Sequence, residues 1–376
     1  MVQDAWAIYG NEGLLAINDP GHQDFTVTDS QYAQIVKDEN GVMTQFTITA
    51  ENALGSTYII NEQGILVGKN GLTIINQAGI TRVVFQSTGD YFINLLGSIQ
   101  VNGTVLDLVF VTQYKLNCNG CNFPGMAKVT FCTIPTSSPL TNNALAADPS
   151  SYCKTNEELY LNINQDVKAV VENPSSGLRS GLEHWVKWGH AEAFRQGTAK
   201  FLNEQEYLDA NHDVRDAVND PNRPVNSGIE HYLHDLGGKN GGWNEARSIS
   251  NEHYVYIGSK GLLSSSIDLY IAAGSVKAIG QIYVHKLDVQ GNSLLEFWSK
   301  IHSDSEINIK NAVLMITHSN ADMEAVGRIY LGAARLVDLH GKVWSPSNNV
   351  VIKSHGLDTY QLIQAYLVII DVSYAI

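Results

Sequence analysis

Short apolar runs separated by glycine-bearing turns fill the first 150 residues. Ala7-Ile8-Tyr9 leads through Gly10-Asn11-Glu12-Gly13 to Leu14-Leu15-Ala16-Ile17. Tyr58-Ile59-Ile60 leads through Asn61-Glu62-Gln63-Gly64 to Ile65-Leu66-Val67, and Leu72–Ile75 leads through Asn76-Gln77-Ala78-Gly79 to Ile80-Thr81. These read as three versions of one hairpin cassette, in which Asn or Gly opens the turn and Gly supplies the positive φ that closes it. Val83–Phe85, Tyr91–Leu96 and Val105–Val111 continue the strand pattern. The pattern predicts an antiparallel, sandwich-like or jelly-roll-like β domain over residues 1–150.

The period then changes. Tyr160-Leu161-Asn162-Ile163-Asn164-Gln165-Asp166-Val167 returns as Tyr207-Leu208-Asp209-Ala210-Asn211-His212-Asp213-Val214, and Ser180-Gly181-Leu182-Glu183-His184-Trp185 returns as Ser227-Gly228-Ile229-Glu230-His231-Tyr232. Each copy predicts three short helices. Acids open the first, at Glu157-Glu158 and at Glu204 and Glu206, which suits a helix N-terminus. The second ends before Asn173-Pro174 or Asp220-Pro221, because a residue preceding proline avoids the helical region. Ser180-x-x-Glu183 and Ser227-x-x-Glu230 have the form of capping boxes. A linker rich in Pro, Ser and Asn, Pro135 to Ser151, leads into this region.

Strand pattern resumes from Tyr254–Ile257 onward. Two turns, Leu287–Asn292 and Val337–Lys342, start on Asp and close on Gly. The last strand carries Tyr366, Val368, Ile370, Val372 and Tyr374 at period two, with Leu367 and Ile369 on its other face. A strand apolar on both faces is either central in a sheet or covered by a partner. The expected fold is mainly β with an α-helical insert: two antiparallel β domains flanking a two-copy helical repeat. The domains are 1–150, 151–250 and 251–376.

Composition narrows the partners. The 376 residues are 44% hydrophobic and only 16% charged, with 32 Gly and 17 Tyr, which suits a β-rich protein with large assembly surfaces. The net charge of −14 and the lack of a basic block argue against nucleic acid, since phosphate contacts need clustered Lys and Arg. No apolar run reaches the length of a membrane span. Met1–Trp6 has neither a basic n-region nor an apolar h-region, so the expectation is a chain made in the cytoplasm without a signal peptide.

Candidate chemistry is sparse. Cys118-Asn119-Gly120-Cys121 offers two thiolates on one turn, and Cys132 and Cys153 would complete a four-thiolate zinc site. Two disulfides, or four buried thiols, fit the same residues. Glu183-His184 and Glu230-His231 read as structural, because the cap already uses the Glu and neighbours at i, i+1 do not share a helix face. No nucleophile elbow, no H-E-x-x-H and no phosphate loop occurs; Gly64–Asn70 lacks the spacing, and Gly237–Gly242 reads as a helix stop. Trp185, Trp188, Trp243, Trp298 and Trp344 are candidate sugar-stacking rings, with Trp185 at core spacing. No carboxylate pair is singled out as catalytic, and the expectation is no enzyme.

The repeat, from Tyr160 through Trp185 and from Tyr207 through Tyr232, resembles a helical module of bacterial extracellular and cell-surface proteins. The calcium-binding Gly-Asp nonapeptides that often accompany that module are absent. The cassette Ala7–Leu15 resembles the opening of small β domains in tailed-phage virion proteins. That resemblance implies a virion structural or host-recognition protein, such as a tail tip, fibre or spike component. It would be homo-oligomeric, partnered by other virion proteins or a cell-surface glycan, and located in a virion or extracellular particle. The alternative is a secreted or surface glycan-binding adhesin of a bacterium, and the third reading is a polysaccharide-degrading enzyme.

Overall fold

The computed structural model describes residues 33–39, 42–48, 57–62, 64–77, 79–88, 92–103, 107–133, 140, 144–145, 147–173, 175–192, 201–222, 225–233, 247, 249, 253–291, 293–354, 356–359 and 363–372. The cassette Ala7–Leu15, Trp243 and Gly237–Gly242 lie outside them.

The chain winds as a parallel β-solenoid with three faces, A, B and C, met in that order in each coil. After β1 (Ala33–Lys37), the first coil is β2 (Met43–Ile48), β3 (Thr57–Glu62) and β4 (Ile65–Val67). The second is β5 (Leu72–Asn76), β6 (Arg82–Ser87) and β7 (Ile93–Leu95), and the third β8 (Ile99–Asn102), β9 (Asp107–Thr112) and β10 (Lys115–Cys118). The fourth has only bridges on face A, at Cys121 and Asn122, then β11 (Lys128–Thr133) and, after the helices, β12 (Tyr254–Ile257). In later coils single strands bend across a corner: β13 (Leu262–Ala273) and β14 (Ser275–Ala278), β15 (Ile282–Gly291) and β16 (Leu294–Phe297), β17 (Ile301–Ser303) and β18 (Ile307–Thr317). Then come β19 (Met323–Ala325) and β20 (Ile329–Leu339), β21 (Val343–Ser354) and β22 (Gly356–Thr359), and β23 (Ile363–Val372).

β1 pairs antiparallel with β2; every other described pairing is parallel. This corrects the expectation of two antiparallel domains. Short strands between glycine turns look alike whether the turn reverses the chain or rounds a corner. The structure uses the turns as corners, and each strand pairs with the strand one coil later. The strands on either side of the helices also form one ladder: Lys128 pairs with Asp268, and Lys115 with Tyr254.

Alternation along each strand sends one set of side chains inward. On face B one inward column runs Ile60, Phe85, Phe110, Phe131, Ile271, Val289, Ile309, Leu331, Ile352, Ile370, in register through ten coils. Phe85 stacks on Phe110 at 5.1 Å between ring centroids. All of this column but Ile370 is buried. Tight corners keep the coils close. A Cβ on Gly97 would run into the Gly68 carbonyl, and one on Gly280 into the Gly258 carbonyl, so glycine is the residue that fits there.

The insert between β11 and β12 carries α1 (Pro149–Tyr152), α2 (Asn156–Ile163), α3 (Gln165–Glu172), α4 (Gly181–His184) with a π-helical extension Trp185–Gly189, α5 (Glu204–Ala210), α6 (His212–Asn219) and α7 (Gly228–Leu233). The predicted three-helix repeat is therefore present twice. Its core of Tyr160, Val167, Leu182, Tyr207, Val214 and Tyr232 packs onto Val313 and Ala334 of the solenoid.

Candidate functional site

The four cysteines form two disulfides, Cys118–Cys121 and Cys132–Cys153. The first lies in the solenoid core and the second on the outside of face B, beside Val84, Val109 and Leu145. The four sulfurs therefore do not meet at one point as a zinc site requires. Among the described residues no group of three or more His, Cys, Asp or Glu is placed to hold a metal ion.

The repeated Glu-His pairs hold the helices together. Ser180 Oγ accepts from the Glu183 amide at 3.0 Å, as the capping pattern predicts, and Ser227 does the same for Glu230. The Glu183 carboxylate, however, accepts from the amide of Arg179, one residue before the cap, and Glu230 from that of Asn226. His184 Nδ1 meets Tyr160 Oη at 3.0 Å, and His231 Nδ1 meets Tyr207 Oη at 2.9 Å. The acids that open each copy reach a different helix. Glu157 accepts from the amides of Gly181 and Leu182 at 2.6 and 2.9 Å, and Glu204 from Gly228 and Ile229 at the same distances. Burial raises the Glu157 carboxyl to about 7 against the pull of those two amides.

The outward residues of the later coils make a second constellation. On face A one side chain per coil points out, and Leu263, Tyr283, His302, Glu324, Trp344 and Gln364 share one register. Tyr283 stacks on His302 at 4.5 Å and 8°. His302 is fixed on both ring nitrogens, by Asp304 at 3.1 Å and Glu324 at 3.3 Å, and Lys300 reaches Glu324 at 2.6 Å. At the corner between faces C and A, Trp298 stacks on His318 at 3.4 Å, with Lys277 Nζ 5.4 Å from the Trp298 ring centroid. His318 Nε2 lies 2.9 Å from Glu296, whose other oxygen faces Lys277 at 3.5 Å.

This geometry constrains the chemistry. Neighbouring strands sit about 4.8 Å apart, so rings stacked between successive coils turn their edges, not their faces, to solvent. Tyr283, His302, Trp298 and His318 thus lace the coils together and offer no flat platform to a sugar. Trp344, 39% exposed, is the aromatic of this column for which no such stack is found among the described residues. Burial alone would raise Glu324, but hydrogen bonds from Lys300 and His302 prevail and hold it below the ordinary carboxylate range; an ionised carboxylate is a poor proton donor at neutral pH. Trp185 packs against the helical core and Trp188 is exposed beside Lys187. The sequence reading missed the column. Its trace is a triplet in which an aromatic or charged residue stands between an apolar residue and an apolar or small one: Ile282-Tyr283-Val284, Ile301-His302-Ser303, Met323-Glu324-Ala325, Val343-Trp344-Ser345.

At β23 the stacking changes character. It pairs with β21 along one edge, and among the described residues no strand pairs with its other edge. Val368 and Ile370 continue the inward register of Val350 and Ile352. Yet Leu367, Val368, Ile369 and Ile370 are exposed by 48, 36, 42 and 50%, where Val350 and Ile352 are fully buried.

Comparison of the chain with family models, with curated proteins and with solved structures finds no match.

Proposed function

We propose that this chain is a non-enzymatic structural and host-recognition component of an extracellular particle, a fibre, spike or tail-tip rod that works as a homo-oligomer. The observation that carries this reading is β23. A ten-residue strand with four consecutive exposed apolar residues, and with no strand on its other edge among the described residues, has the character of an association surface. A solenoid laced by stacked rings and paired charges supplies rigidity, and a rigid oligomer presents several copies of a weak recognition surface at once. Two buried disulfides suit an oxidising, extracellular destination. The test is binding of the full chain to whole bacterial cells, beside a variant with Leu367→Lys and Ile369→Lys. Avidity predicts binding weaker by about a hundredfold in the variant; equal binding by both contradicts the reading.

A second reading, a secreted or surface glycan-binding adhesin of a bacterium, rests on Trp344, whose exposed ring stands on the outer column of face A. Trp344→Ala would then abolish glycan binding without changing the oligomer.

A further inference from the structure

The helical insert touches face B through a polar contact that neither assembly nor recognition requires. Glu158, at the start of α2, faces the outward side chains of the sixth and seventh coils. With the Gln290 amide oriented so that its nitrogen faces the carboxylate, as the surrounding donors and acceptors require, the side chain donates to Glu158 at 2.8 and 3.1 Å and accepts from Lys310 Nζ at 3.1 Å. Asp288, two residues before Gln290 and on the same outer surface of β15, is half-buried, and its Oδ1, shielded from solvent, has no hydrogen-bond partner among the described residues.

The charges here do not balance. The insert brings Glu158, with Glu157 behind it and Thr155 capping it. β13 brings Tyr270, whose hydroxyl donates to the Cys153 carbonyl. β15 brings Lys286 and Asp288, and the β17–β18 corner brings Glu306. Lys286 is drawn to Glu306 at 2.7 Å. That leaves Lys310 of β18 facing both Glu158 and Asp288, so two half-buried carboxylates share one nearby ammonium. Burial, the largest influence on each, raises both carboxyls above their ordinary values, against the attraction of Lys310.

We propose that this contact is a proton-operated clasp: a proton taken up by the Glu158–Asp288 pair fastens α2 to face B, and its loss loosens α2 and uncovers Tyr270, Asp288 and Gln290. The sign follows from the direction of the shifts. A carboxyl that is harder to ionise when docked holds its proton more firmly when docked, so docking strengthens as pH falls and weakens as pH rises. The loosening is local. The Cys132–Cys153 disulfide holds the root of the insert, and Arg179–Asp371 at 2.5 Å and the Ile249 amide on Ser293 Oγ at 3.0 Å hold its far parts.

The test is hydrogen exchange of the full chain at about pH 5 and about pH 8, with each amide normalised to its intrinsic rate. Protection of α2 should fall by roughly tenfold or more on going to the higher pH, while β13 and β15 keep theirs. Asp288→Asn, which leaves Glu157 untouched, should remove most of that change, and Glu158→Gln should do the same. Equal protection of α2 at both pH values overturns the proposal. So does a full change in the Asp288→Asn chain, which would assign the effect to Glu157, or a parallel loss in β15, which would mark global unfolding. Should Asp288→Asn fail to fold, Glu158→Gln carries the same comparison, and equal protection in the wild-type series overturns the proposal whether or not either variant folds.

Discussion

Tyr160 Oη lies 3.0 Å from His184 Nδ1, and Tyr207 Oη repeats the contact with His231 at 2.9 Å. Each pair ties the first helix of a copy to the third. His231 is buried, so His231→Ala leaves the Tyr207 hydroxyl without this partner and should cost about 1–3 kcal/mol in urea unfolding. Replacing both His184 and His231 by Gln should leave the metal content unchanged by elemental analysis; a loss of bound metal would contradict the structural role.

Gly181 and Gly228 are fixed by the same packing. A Cβ on either would lie 2.8 Å from Cδ1 of Tyr160 or Tyr207. Helix propensity favours Ala over Gly, yet here Gly181→Ala and Gly228→Ala should each destabilise by about 1–3 kcal/mol, because the rings must move. Thermal melts in which either variant gained stability would refute this packing.

Glu157 adds a pH dependence of its own. Its carboxyl is raised from 4.5 to about 7 in the fold. The native state therefore holds a proton that the unfolded state has released between those values. Stability should fall as pH rises across that window and level off above it. Glu157→Gln should flatten this part of the profile, measured by urea unfolding against pH. A slope unchanged by the substitution would exclude Glu157 as its source.

Outside the solenoid core a column of charged residues runs along face B. Arg82, Asp107, Lys128, Asp268 and Lys286 pair in successive coils on face B, and Glu306 and Arg328 continue the series. The sign alternates at every step. Arg82 meets Asp107 at 2.8 Å and Lys286 meets Glu306 at 2.7 Å. Asp107→Lys puts three cations in a row and should cost about 1–3 kcal/mol, and the exchange Arg82→Asp with Asp107→Lys should recover part of it. A double-mutant cycle with no coupling would show the charged column to be idle.

How far the sequence revealed this molecule depended on the range of the forces involved. The helical repeat was legible because its signals are local: Ser180 before Glu183, Asn173 before Pro174, and a 47-residue echo. The strands were legible from alternation. Their direction was not, because a glycine corner and a glycine hairpin share one local chemistry, and the partner of Phe85 is Phe110, not a residue across the turn. One clue lay unused: Val67-Gly68-Lys69-Asn70-Gly71-Leu72 and Ile257-Gly258-Ser259-Lys260-Gly261-Leu262 are the same corner on either side of the helices. The role of Glu157 was hidden for a similar reason, since its partners, Gly181 and Leu182, lie a helix away. The last strand was legible as apolar on both faces; which of its residues face inward is set only by pairing with β21.

The most direct test of the account is the mass of the full chain in solution at micromolar concentration, by sedimentation velocity or light scattering. A defined homo-oligomer is expected, becoming monomeric, with an unchanged circular dichroism spectrum, when Leu367 and Ile369 are both replaced by Lys. A wild-type chain that is already monomeric, with its β23 amides exchanging as freely as those of an exposed edge, would contradict it.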